Sequence, residues 1–192
     1  MAVPTPFYTQ PNEHHLFVTS GAVTGLPVTE VAMVFREGEI ADYPQVEIDG
    51  VAVTTQADVK TRWGGESSDP VEHAILSFYM PTNSASEVRL TFRNQVTGNN
   101  TGGLSTAQML ASPYTSAAGF DNTITVVGHG AMSVRDAIAG GHYFRWRDGS
   151  ICTEIVVCDW TGDNTSIGAS SDKFVLNAWV IQFWPAISKA KM

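Results

Sequence analysis

Charge is scarce in this chain. Asp, Glu, Lys and Arg make up only 16% of its 192 residues, against about 25% in an ordinary soluble protein. The charge that is present is mostly acidic, with a formal net of -8. General nucleic-acid binders need basic patches to displace counterions from phosphates, so this balance argues against that function. It also speaks against docking on an anionic membrane surface. Long apolar runs are missing too, and no stretch reaches the ~18 residues of a membrane-spanning helix. The opening MAVPTPFYTQPNEHH has neither a basic n-region nor an apolar h-region, so no signal peptide is expected there.

Cysteine is limited to Cys152 and Cys158. On a single strand they lie about 20 Å apart at ~3.3 Å per residue. A disulfide spans no more than about 7 Å between Cα atoms. Two strand thiols are therefore expected, with synthesis in the cytoplasm; a virion or extracellular destination follows if a leader has been removed. Catalytic signatures are missing as well. There is no G-x-S-x-G nucleophile elbow and no G-x-x-x-x-G-K-[ST] phosphate loop. His14, His15, His73, His129 and His142 match no metal-ligand spacing. DWTGDN (159–164) clusters oxygens but lacks the full calcium-loop pattern. No catalytic residue, metal or cofactor is assigned.

Thr, Ser, Gly and Asn take the place of charge, and Thr in particular suits pleated, half-exposed surfaces. Apolar residues alternate in short runs. Residues 45–56 place Val46 and Ile48 before Asp49-Gly50 and Val51 and Val53 after it, a hairpin signal. Residues 86–96 alternate Val88, Leu90 and Phe92 with polar neighbours, as a half-buried strand does. Further strands are expected at 15–19, 28–35, 73–80, 122–128, 149–160 and 173–184. Helical spacing is confined to 104–112 and, more weakly, 133–141. The expected fold is all-β: a barrel or sandwich of two related halves with one or two short helices, in a single domain over 1–192.

The related halves, roughly 28–96 and 120–184, come from an internal repeat. RWGGESSDPVEHAILSF begins at Arg62, and RWRDGSICTEIVVCDW begins at Arg145. Each opens Arg-Trp, passes a Gly-, Ser- and Asp-containing turn and enters an apolar run. Aligning Trp63 with Trp146 sets Ile75 near Ile155 with a first loop three residues longer. The structural reading is a Trp-capped hairpin in which the Arg pairs with Asp69 or Asp148. The functional reading is an aromatic platform beside polar groups for a sugar ring, using Trp63, Trp146, Asp148 and Tyr143. Glu72 and Glu154 hold equivalent places, and a carboxylate pair there would be of the glycosidase kind.

The approach QADVKTRW (56–63) and the second turn resemble the N-terminal RIFT-type β-barrel domain of exo-rhamnogalacturonan lyase-like proteins. The matching positions are Gln56, Arg62 and Trp63, then Trp146, Asp148, Gly149 and Ser150. The first copy departs from the pattern, with GGESSD (64–69) in place of the compact Asp-Gly-Ser turn. The resemblance covers the middle and last thirds of the chain. It implies an accessory barrel beside a separate catalytic domain, and no lyase activity for this stretch itself.

Two functions are therefore expected. The first is a non-catalytic structural β domain in a homo- or hetero-oligomeric assembly, such as a virion or surface structure. The alternative is an accessory, glycan-binding domain of a polysaccharide-degrading enzyme. Neither involves nucleic acid or a membrane.

Overall fold

The computed structural model describes residues 13–17, 28–80, 87–111, 114, 121–126, 130–158 and 178–192. Antiparallel strands dominate and two short helices accompany them, so the chain is all-β. Among the described residues no sheet closes into a barrel. The chain divides into two units, Met1–Asn100 and Thr101–Met192.

The first unit holds β1 (Glu13–Phe17), β2 (Val28–Val34), β3 (Tyr43–Ile48), β4 (Val51–Ala52), β5 (Thr55–Arg62), β6 (Val71–Tyr79) and β7 (Glu87–Gln95). They form two sheets, ordered β1-β7-β3-β4 and β2-β6-β5. One core joins the two. Val46 and Ile48 of β3 and Leu90 and Phe92 of β7 pack with Ala57 of β5 and Ala74, Leu76 and Phe78 of β6. Phe92 meets the edge of Phe35 at 5.7 Å between ring centroids. This alternation of buried positions is what the period of a pleated strand requires.

The expected Asp-Gly turn joins β3 to β4. Asp49 has φ 51° and Gly50 φ 82°, the paired left-handed geometry of a two-residue hairpin turn. The second arm is short, because Val51 and Ala52 are exposed and the chain then crosses to the other sheet. Thr55 pins the crossing. Its buried hydroxyl accepts from the Val46 N–H and donates to the Val53 carbonyl, each at 3.0 Å. Gly50→Ala forces a side chain into left-handed backbone and should cost about 1–2 kcal/mol. The loss should appear as a lower urea midpoint at unchanged slope.

The second unit holds α1 (Thr106–Met109), β8 (Thr123–Val126), β9 (Gly130–Ser133), α2 (Val134–Ala139), β10 (Tyr143–Asp148), β11 (Thr153–Cys158), β12 (Ala178–Trp184), a 3-10 turn (Pro185–Ile187) and β13 (Lys189–Lys191). Its larger sheet is ordered β10-β11-β12-β13, and β8 pairs with β9. Ile155 and Val157 of β11 and Trp179, Ile181 and Phe183 of β12 form a core with Val134, Ala137 and Ile138 of α2 and Met109 of α1. Both expected helices are present but shorter. Ser105 caps α1 through a capping box with Gln108, and Ser133 caps α2 by accepting from Asp136 N. No described helix is long and apolar enough to cross a membrane. DWTGDN, His129 and the 173–177 part of the expected last strand lie outside the described residues.

The two Arg-Trp stretches both lead into antiparallel hairpins, but in different registers. Ile75 sits opposite Asp58, five residues before Trp63. Ile155 sits opposite Arg145, one residue before Trp146. The first hairpin closes through the long loop 63–70, the second through the tight turn 149–152. Trp63 therefore follows its strand, whereas Trp146 lies inside β10, where the register shifts between Arg145 and Arg147.

Candidate functional site

Each Arg-Trp stretch builds a corner, and each corner is best described within its own unit. In the first, the Arg62 guanidinium donates to three backbone carbonyls: Asp69 at 2.5 Å, Asp42 at 2.9 Å and Ala41 at 3.3 Å. It also lies 5.5 Å over the Tyr43 ring. Gly98 closes in on that same ring, since a Cβ there would come within 2.6 Å of Tyr43 Cδ1. Arg62 reaches the backbone of Asp69, while the Asp69 carboxylate accepts from Glu66 N at 2.8 Å within the loop. The same carboxylate fills the space beside Gly64, where a Cβ would meet it at 2.1 Å. Trp63 donates its indole N–H to the Phe35 carbonyl at 3.1 Å and leaves its ring 42% exposed.

An open-sided groove of about 610 Å³ runs along this corner. Its walls include Tyr43, Lys60, Arg62, Glu66, Glu72 and Asn100. Strand β5 supplies Lys60 and Arg62, the loop supplies Glu66, and β6 supplies Glu72. Residues this far apart in sequence meet only because of the β5–β6 register and the β3 position beside it. Among the described residues, no hydrogen bond ends on the Glu66 or Glu72 carboxylate.

The second corner repeats the chemistry of the first on a tighter turn. Arg145 donates to Asp148 Oδ1 at 2.7 Å and to the Leu104 carbonyl at 2.5 Å, and lies 6.0 Å over the Tyr143 ring. The Tyr143 hydroxyl meets Thr106 Oγ1 at 2.8 Å. Trp146 is 44% exposed. Of the four residues read as a sugar platform, Tyr143, Trp146 and Asp148 thus share one strand, β10. Trp63 belongs to the other unit. The polar ends of Tyr143 and Asp148 already have protein partners, and the two tryptophan rings are half open to solvent.

Beyond Trp146 the outer face of this sheet carries two rows. Phe144, Val156 and Val180 lie directly across from one another on β10, β11 and β12. Phe144 is 53% and Val180 49% exposed. The next row is Arg147, Glu154 and Gln182, again in cross-strand register. Arg147 Nε and Gln182 Nε2 each donate to Glu154 Oε2 at 2.9 Å, and Arg147 Nη2 makes a second, closer contact with the same oxygen. Glu154 is thus a buried, ion-paired structural carboxylate, whereas Glu72 lines the groove of the other unit.

Sequence reasoning missed the buried Arg147–Glu154 pair. A signal was available: around a four-residue turn that pairs Asp148 with Thr153, the next pair out is Arg147 with Glu154. Cys152 is a buried thiol whose sulfur takes the Trp184 indole hydrogen at 3.1 Å. Among the described residues no group of three His, Cys, Asp or Glu side chains could hold a metal ion. Comparisons of the chain with protein-family models, with curated proteins and with solved structures return no match.

Proposed function

We propose that this chain is a non-catalytic β domain that works inside a multi-subunit assembly, of the kind found in virions and surface structures. One observation carries the reading: the apolar cross-strand row Phe144, Val156 and Val180, in which Phe144 and Val180 are exposed and Val156 half-buried between them, on the sheet whose first strand also carries the exposed Trp146. Contiguous exposed apolar surface on a soluble domain marks contact with another protein. Two further features support it. The polar row alongside is already satisfied internally, so covering this face strands no charge. Among the described residues β10 also ends its sheet, and an edge strand is a natural place for another chain to pair. Light scattering coupled to size exclusion should show a species larger than the 192-residue monomer. Phe144→Ser with Val180→Thr should return it to monomer without loss of fold. A wild-type protein that is monomeric at every concentration would count decisively against the proposal.

A second reading, an accessory domain of a polysaccharide-degrading enzyme, is favoured by the half-exposed rings of Trp63 and Trp146. Amphipathic aromatic rings left open to water are suited to stacking on the apolar face of a sugar. Titration with pectic oligosaccharides should then quench tryptophan fluorescence, and a flat titration would remove the two rings from this reading.

A further inference from the structure

We infer that the groove along the Arg62 corner is a binding site for an oligosaccharide chain of neutral, polyhydroxylated rings. The inference deepens the accessory-domain reading, but it places the ligand on residues other than the two tryptophans. At about 610 Å³ the groove falls within the ~300–1,000 Å³ of ordinary ligand sites. Its open side suits a chain passing through better than a small molecule enclosed on all sides.

The lining selects the chemistry. Lys60 and Arg62 bring positive charge and Glu66 and Glu72 bring negative charge. A phosphate would face the two carboxylates, and an amine would face the two cations. A sugar hydroxyl both donates and accepts, so it can meet either kind of wall. The Glu66 and Glu72 carboxylates can accept from such hydroxyls, and the Asn100 amide can do both. Val59 and the rim of Tyr43 supply the apolar patch that suits the C–H face of a ring.

The floor is also built before any ligand arrives. Three carbonyls hold the Arg62 guanidinium, which lies over the Tyr43 ring, and Gly98 approaches the same ring closely. A fixed site loses less freedom on binding, which is how a shallow groove reaches useful affinity.

The test is an amide-shift titration of the full chain with cellohexaose and, separately, with an oligogalacturonate. Cellohexaose should move the amides of Thr61, Glu66, Glu72 and Asn100. Glu72→Ala and Asn100→Ala should each weaken it about ten-fold, the scale of one lost hydrogen bond to a charged or amide group. Val51→Ala, at an exposed position outside the groove lining, should leave it unchanged. Gly98→Ala, which pushes on Tyr43, should weaken binding while the protein remains folded. Shifts confined to the Trp63 and Trp146 indoles would overturn the groove and leave the accessory-domain reading intact. Oligogalacturonate binding ten-fold tighter than cellohexaose would overturn the choice of neutral rings. No shift with either probe would overturn both the groove and that reading.

Discussion

Arg147→Met is expected to lower stability by about 3–5 kcal/mol, the usual result of removing one partner from a buried ion pair. The Arg147 side chain is 2% exposed and that of Glu154 8%. Folding has therefore taken both charges out of water. Their attraction repays that loss only while both are present. With methionine at 147, the Glu154 carboxylate keeps the Gln182 amide but loses the guanidinium that held it at 2.9 Å and at the second, closer contact. An uncompensated buried charge then dominates the free energy. The paired change Arg147→Met with Glu154→Leu should recover most of the loss, because well-packed apolar residues often replace a buried pair at little or no cost. Urea unfolding followed by tryptophan fluorescence reads both variants. A single-variant cost below about 1 kcal/mol would mean that the pair behaves as an exposed one.

The same pair shows what could be read from the sequence and what could not. Strands with one buried face were legible, because alternation survives in them: Leu90 and Phe92 in β7, and Ile181 and Phe183 in β12. The Asp49-Gly50 turn was legible because few other dipeptides tolerate left-handed backbone at both positions. β10 was hidden. Its segment YFRWRD breaks alternation at a register shift, and it buries an arginine that composition would place in solvent. Thr55, Gln56 and Asp58 were hidden for a related reason. All three are polar yet buried, and the Gln56 amide donates to Asp58 at 2.8 Å. The groove left no local signature, because Tyr43, Glu72 and Asn100 converge only through tertiary register. The Arg-Trp repeat was visible as a pattern. Its two copies share an arginine stacked on a tyrosine and a half-open tryptophan, while their hairpin registers differ.

Phe183→Ala is expected to cost about 3–5 kcal/mol, as large aromatic truncations in a closed core do. Phe183 is fully buried, lies opposite Thr153 on β11, and meets Tyr114 edge-on at 5.5 Å. Phe183→Leu keeps most of the volume and should cost less than about 1.5 kcal/mol. Burial pushes the Tyr114 hydroxyl pKa up. Val180 provides the contrast. It lies on the same strand, three residues earlier and on the opposite face, 49% exposed. Val180→Thr should change stability by less than about 0.5 kcal/mol. A one-residue slip of β12 would exchange the two faces and reverse the order of these costs, so the pair of variants also tests the register. It further separates fold from function. Phe183 should matter for unfolding at any protein concentration. Val180, whose side chain the fold does not need, should matter only where the apolar row of the second unit meets another chain.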